Sequence, residues 1–270
     1  MTTDNLIFQI KQKQSFLCVG LDIDKEKLPK HFAKDNNALF NFSKEIINAT
    51  HDLCIAYKPN LAFYEAYGLE GYSALKETIF YIKNNYPNIF LIADAKRCDI
   101  GNTATRYAKA FFEELPFHAI TVSPYMGKDS IEPFLEFKDK FTVLLALTSN
   151  EGAYDFQTLT CENGKMLFEN VIETSTKWKN SENLMYVVGA TKPEYFKLIR
   201  KYVPNNFLLV PGVGAQGGSL DEVCKYGAVE NVKLIVNSSR EILYASSHAD
   251  FALAARKKAL EIKHSMEKYI

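Results

Sequence analysis

Several features that would assign this chain to a partner class are scarce or missing. It has only five cysteines in 270 residues, at 18, 54, 98, 161 and 224. None forms a C-x-x-C pair, which argues against a disulfide framework and a zinc knuckle. Histidine is equally scarce, with five residues and no H-E-x-x-H or H-x-H, so no protein-bound metal is expected. His118 opens an apolar run and reads as structural. Neither charge sign is in excess, with 32 Lys and Arg against 32 Asp and Glu. No basic stripe suits nucleic acid, and no cationic amphipathic face suits a membrane surface. No apolar run approaches the roughly 20 residues of a membrane span. The opening MTTDNLIFQIKQKQ lacks the apolar core of a signal peptide. A cytoplasmic protein is expected.

Apolar residue is not lacking, at 47% of the chain. It is gathered into eight short runs: FLCVGLDI from Phe16, LCIAYKP from Leu53, IFLIADAK from Ile89, HAITVSPY from His118, FTVLLALT from Phe141, LMYVVGAT from Leu184, FLLVPGVG from Phe207 and KLIVNSSR from Lys233. They are continuous rather than alternating, as in parallel strands buried on both faces. Helical patterns lie between them, among them Leu39–Ala49, Tyr72–Lys83, Thr105–Glu114 and Pro193–Tyr202, with a last helix from about His248. Eight βα units over residues 1–270 indicate an α/β fold, a single-domain (β/α)8 TIM barrel. A doubly wound open sheet is the alternative. No linker, low-complexity tract or charge block interrupts the pattern. Residues 150–183 are more polar and read as a loop plus the fifth helix, with an insertion near the barrel mouth as one expectation.

In such a barrel the chemistry sits at the C-terminal ends of the strands. The first run ends at Asp22, the second at Lys58, the third at Asp94 and Lys96, the fifth at Thr148, Ser149 and Asn150. Asp94 and Lys96 are two apart and share a face on a strand. Asp99 follows a short turn, and Thr103 is placed one helical turn beyond it. Buried charges need partners, and Lys58, Asp94, Lys96 and Asp99 alternate in sign. Either they form a catalytic array, or they form a structural ion-pair network with Asp99 as a helix N-cap.

PGVGAQGG contains G-x-G-x-x-G at Gly212, Gly214 and Gly217, but a dinucleotide site is rejected. The motif follows the seventh strand, and about 20 residues on, where a ribose-binding acid belongs, the chain reads Val236, Asn237, Ser238. A phosphate cradle fits better, because barrels bind phosphate with the loops after strands seven and eight. Arg240, just past strand eight, offers a planar fork for it.

The order D-x-K-x-x-D-I-x-x-T, at Asp94, Lys96, Asp99, Ile100 and Thr103, resembles the signature of the orotidine 5′-phosphate decarboxylase family. The resemblance extends to GLDID, YKPN, SPYMGKDSIEPF, TSN, PGVGAQGG and NSSR, in order along nearly the whole chain, and is nearest to the family's longer bacterial branch. It implies conversion of orotidine 5′-phosphate to UMP and CO2 in de novo pyrimidine biosynthesis, with no cofactor and no metal. By similarity, Lys96 is the proton donor and Asp94 sits beside the leaving carboxylate. Lys58 orients and neutralises Asp94. Asp99 and Thr103 reach into the site of a partner subunit, so a homodimer with shared sites is implied. Asp22 holds a ribose hydroxyl, Ser149 contacts the pyrimidine, and Gln216 and Arg240 grip the phosphate.

Three alternatives stand beside that reading. Related metal-dependent phosphosugar decarboxylases and synthases share the shorter D-x-K-x-x-D form on the same barrel, where it helps hold magnesium. A catalytically silent phosphate-ligand binder with a regulatory role is the second; it predicts a broken charged array, and every member is present. A lysine that forms a Schiff base is the third. It needs a neutral amine, whereas two flanking aspartates favour the charged form. Cys98, inside the signature, reads as packing.

Overall fold

Each of the eight apolar runs becomes a strand of one closed parallel barrel. The computed structural model describes residues 1–214 and 217–270. The strands are β1 (Leu17–Gly20), β2 (Ala56–Lys58), β3 (Phe90–Arg97), β4 (Ala119–Val122), β5 (Phe141–Leu147), β6 (Leu184–Val188), β7 (Leu208–Pro211) and β8 (Leu234–Ser238). They pair in sequence order, and β1 closes on β8 through Leu17 opposite Val236, Cys18 opposite Asn237 and Val19 opposite Ser238. The doubly wound alternative is thereby excluded. Nearly every strand residue is buried, because one face fills the barrel and the other meets the helices.

The helix Ala38–Thr50 illustrates the outer layer. Leu39, Phe42, Ile46 and Ile47 recur at helical spacing and are buried. Each contributes about 1.5–3 kcal/mol of burial. Helices at Gly68–Asn85, Gly101–Lys109, Phe196–Tyr202, Leu220–Gly227 and Phe251–Glu267 occupy corresponding places in the ring. The polar stretch 150–183 holds a short helix at Ala153–Phe156 and the fifth-unit helix at Leu167–Ser175. No helix among the described residues is long and apolar enough to cross a membrane.

Three local expectations change. The first strand stops at Gly20, so Asp22 sits on the loop beyond it, held near the sheet where the N–H of Leu21 donates to the carbonyl of Lys58 at 3.1 Å. An N-terminal helix, Thr3–Lys13, is present that the apolar pattern did not single out. It is opened by a reciprocal cap between Thr2 and Asn5, and it buries Leu6 and Ile10. The helix after β3 begins at Gly101 with Ile100 as its N-cap. Asp99 therefore lies outside it, so neither the N-cap role nor the one-turn stacking of Asp99 on Thr103 holds.

Candidate active site

The strand ends converge on a cavity of about 470 Å³ at the C-terminal mouth of the barrel. Asp94 is at its floor and is buried. Its Oδ2 accepts from Lys58 Nζ at 2.6 Å and its Oδ1 from Lys96 Nζ at 2.5 Å. Thr121, on β4, adds a third bond from its Oγ1 to Oδ1 at 3.1 Å. Both carboxylate oxygens thus meet cationic or hydroxyl donors. Burial alone raises the pKa of Asp94, but Lys58 and Lys96 reverse that and hold its carboxyl well below the usual range. Burial likewise opposes the charge on Lys58. The carboxylates of Asp94 and Asp22 outweigh it and lift its pKa above the ordinary lysine value.

Lys96 reaches this array by an unusual backbone. Its φ is 47°, in the left-handed region, and the β3–β4 register shifts between Ala93 and Arg97. A non-glycine residue there costs roughly 1–3 kcal/mol unless its surroundings over-determine it. The Lys96 N–H donates to Thr121 Oγ1 at 2.9 Å. Thr121 therefore holds both the backbone of Lys96 and the side chain of Asp94. Lys58 is buried, whereas the Lys96 side chain is half-exposed to the cavity. One ammonium is sealed into the floor and the other faces the space a substrate would fill.

Asp22, Ser149 and Arg240 line the same cavity. Asp22 Oδ1 is buried without a hydrogen-bond partner among the described residues, as are Asn237 Oδ1 and Ser239 Oγ. Buried polar atoms of this kind mark places where a ligand can complete the bonding. Arg240 is exposed, and among the described residues no carboxylate lies within ion-pair distance of it. The loop after β7 abuts its neighbour Glu241. Gly212 and Gly214 have φ of 96° and 73°, and a Cβ on Gly214 would lie 2.7 Å from Glu241 Oε2. The N–H groups of Gly214, Gly217 and Gly218 bond within this loop. The cradle expected from the glycine pattern is therefore narrower, with Gly212 and Val213 as its cavity-lining members. Gln216 lies outside the described residues.

Asp99 and Thr103 do not line the cavity of their own chain. Asp99 Oδ1 accepts from the N–H of Ile100 at 2.8 Å, and Thr103 is exposed. His118 is structural, as expected: its Nδ1 accepts from the N–H of Leu91 at 3.0 Å, and burial pushes its pKa down to about 3. Sequence reasoning did not single out Asn60, Thr121, Asn237 or Ser239 as site residues. Asn60 had a usable signal, since it stands two past Lys58. Thr121 had none, because a threonine inside an apolar strand is ordinary.

Comparison with known proteins sets this geometry in a family. Residues 15–255 match the model described as the orotidine 5′-phosphate decarboxylase / HUMPS family. The chain is 62% identical over 270 residues to an orotidine 5′-phosphate decarboxylase of Flavobacterium johnsoniae, covering 100% of this chain and 98% of that one. It is 62% identical over 266 residues to one of Christiangramia forsetii, covering 98% and 97%. Among solved structures, it resembles the OMP decarboxylase of Leishmania donovani with a TM-score of 0.82 and 37% identity over 98% of each chain. It also resembles the UMP synthase of that organism with a TM-score of 0.84 and 38% identity over 99% of this chain; there it spans 57% of the longer protein. The family match runs from before β1 into the last helix, and the full-length relatives agree with it: the chain belongs to the orotidine 5′-phosphate decarboxylase / HUMPS family.

Proposed function

We propose that this protein is a carboxy-lyase that converts orotidine 5′-phosphate to UMP and CO2 in pyrimidine biosynthesis. The observation that carries this reading is the Lys58–Asp94–Lys96 array on the cavity floor, in a chain whose full-length relatives at 62% identity bear that activity in their names.

The ring carbon that loses CO2 keeps the bonding electron pair in the ring plane, where no π sink accepts it. Stabilisation must then come from fixed charge. Lys96 provides an ammonium held 2.5 Å from Asp94 and open to the cavity. As the C–CO2 bond breaks, this cation faces the developing carbanion, then donates a proton to it from Nζ and is left neutral. Asp94 keeps Lys96 charged and oriented, and Lys58 keeps Asp94 ionised. Asp22 is suited to a ribose hydroxyl through its unpartnered Oδ1, and Arg240, which lines the same cavity, to the phosphate, a role the family signature gives to Gln216 as well. Ser149 is assigned to the pyrimidine. Phosphate binding far from the reacting carbon supplies energy for closing the mouth and ordering the array.

The metal-dependent phosphosugar reading is less favoured. Both oxygens of Asp94 already bond ammonium groups, so a divalent ion there would sit against two cations. The active unit we assign is a homodimer in which Asp99 and Thr103 complete the neighbouring site. Their position outside their own cavity, beside the half-exposed Ile100, supports that assignment.

The direct test follows the loss of orotidine 5′-phosphate absorbance with chelator present, for wild type and Lys96→Ala. Turnover by the wild type and a loss of at least about 10⁴-fold in the variant are expected. A well-folded wild type without turnover overturns the reading. Mixing Lys96→Ala with Asp99→Ala tests the shared site: partial recovery is expected, and no recovery despite subunit exchange rejects it.

A further inference from the structure

The polar stretch after β5 has no part in the chemistry above, yet it touches the site. Thr148, Ser149 and Asn150 follow β5 directly and line the cavity. The chain then turns through the short helix Ala153–Phe156 and returns at Gln157. The backbone of Gln157 is anchored there. Its N–H donates to the carbonyl of Ala153 at 2.9 Å, and its carbonyl accepts from the N–H of Phe168, in the fifth-unit helix, at 2.9 Å. Its side chain turns back towards β5. Oε1 accepts from the Thr148 N–H at 2.8 Å, and Nε2 donates to Thr148 Oγ1 at 2.9 Å. Thr148 Oγ1 in turn donates to Asn150 Oδ1 at 2.6 Å.

The Gln157 amide has a forced direction. A backbone N–H can only donate, so the amide oxygen of Gln157 must face Thr148 N. The NH2 group then faces Thr148 Oγ1, whose single proton lies between Asn150 Oδ1 at 2.6 Å and Gln157 Oε1 at 3.3 Å. Asn150 itself lines the cavity. The other side of the segment is held as well. Thr191 Oγ1 donates to the Ser149 carbonyl at 3.2 Å, and Lys192 Nζ to the Thr148 carbonyl at 3.4 Å. Gly189 lets the segment approach closely, since a Cβ there would lie 2.6 Å from Ser149 Cα.

We infer that Gln157 is a positioning residue for the reaction: by its two bonds to Thr148 it fixes the place of the Thr148–Asn150 segment against the pyrimidine ring. The inference rests on the decarboxylase reading and on the placement of the ring beside Ser149. It gives the polar stretch a task, which is to carry one amide back under the segment that meets the base. Held groups of this kind matter because a displacement near 1 Å can cost about 10²-fold in rate.

The test uses the full chain with Gln157→Leu, Gln157→Glu and Thr148→Val. Each variant is measured for kcat and KM with orotidine 5′-phosphate, and for inhibition by ribose 5-phosphate, which has the sugar and phosphate but no ring. Gln157→Leu should lower kcat/KM between about ten- and a hundred-fold and leave the ribose 5-phosphate inhibition constant within about twofold. Gln157→Glu keeps an acceptor for the Thr148 N–H but loses the donor, so it should fall between Leu and wild type. Thr148→Val should add little in the Gln157→Leu background, because both remove the same relay. A wild-type kcat/KM in Gln157→Leu overturns the inference. So does equal weakening of substrate and ribose 5-phosphate, which would mark a merely structural role. If Gln157→Leu does not fold, Gln157→Glu and Thr148→Val decide: losses confined to the ring-bearing substrate support the inference, and unchanged kinetics in both overturn it. A wild type with no turnover removes the decarboxylase reading, and this role with it.

Discussion

Buried cations occur at both ends of the barrel, and the two ends treat them in opposite ways. At the mouth, Lys58 meets the carboxylates of Asp94 and Asp22, which raise its pKa against the pull of burial. At the base, Arg200 is about as buried but, among the described residues, donates only to backbone carbonyls, those of Gly227, Val203, Asn206 and Lys233. Burial lowers its pKa to about 10. Lys13 and Lys140 follow the same rule: each donates to backbone carbonyls, and burial draws each pKa down. Carbonyl dipoles satisfy donors without supplying a counter-charge. They suit groups that knit loops together, such as the turn Asn231–Lys233, where three successive residues have positive φ. Paired carboxylates and ammonium groups instead keep full charges in place. Arg200 stays cationic at neutral pH, but its donors are taken by carbonyls, whereas the Lys96 ammonium at the mouth faces the cavity.

The comparison predicts a split between stability and rate. Lys58→Met leaves Asp94 Oδ2 without its ammonium while Lys96 and Thr121 still hold Oδ1, so it should lower stability by about 1.5–3 kcal/mol and kcat by about 10²-fold or more. Arg200→Met strands four carbonyls and should cost roughly 3 kcal/mol or more, with kcat per folded molecule unchanged. Denaturant titration and active-site-normalised kinetics separate the two, and a large kcat loss in Arg200→Met would break the comparison.

Acid should act on the two ends in sequence. The folded pKa of His118, about 3, lies below the ordinary 6.5. Its contribution is therefore fully present above pH 6.5 and lost as pH falls towards 3, by up to a few kcal/mol. Asp94 is also depressed, from an ordinary 3.8. Its contribution is present above that value and lost as pH falls through the lower folded pKa. His118→Asn should flatten the upper part of the acid limb of a stability–pH curve, and Asp94→Asn the lower part. Identical limbs in wild type and His118→Asn would refute the assignment at the base.

The smallest effect belongs to neither end. Asp52 and Arg256 form a two-pronged pair at 2.7 and 2.8 Å on the outer surface. Both are partly exposed, so Asp52→Asn should cost only about 0.5–1 kcal/mol and leave turnover unchanged. A loss as large as that of Lys58→Met would remove the distinction between buried and exposed pairs.

The barrel was legible in the sequence because each of its strands is buried on both faces, and such strands write themselves as unbroken apolar runs. Lys58, Asp94 and Lys96 were legible as strand-end charges for a related reason: ionic groups beside apolar runs have few places to go but a functional mouth or a solvated turn. The N-terminal helix was less so, since its apolar spacing is sparse and its clearest mark is the cap between Thr2 and Asn5. What sequence by itself could determine was periodicity and residue type, because these depend on neighbours a few positions apart. It could not decide that Lys58 lies 2.6 Å from an aspartate 36 residues away, or that Thr121 holds both Asp94 and Lys96. Nor could it show that Lys96 adopts a left-handed backbone or that Gln157 turns back onto Thr148. Those depend on barrel closure, which brings separate strands together and sets the direction of each donor and acceptor only when the whole sheet is in register.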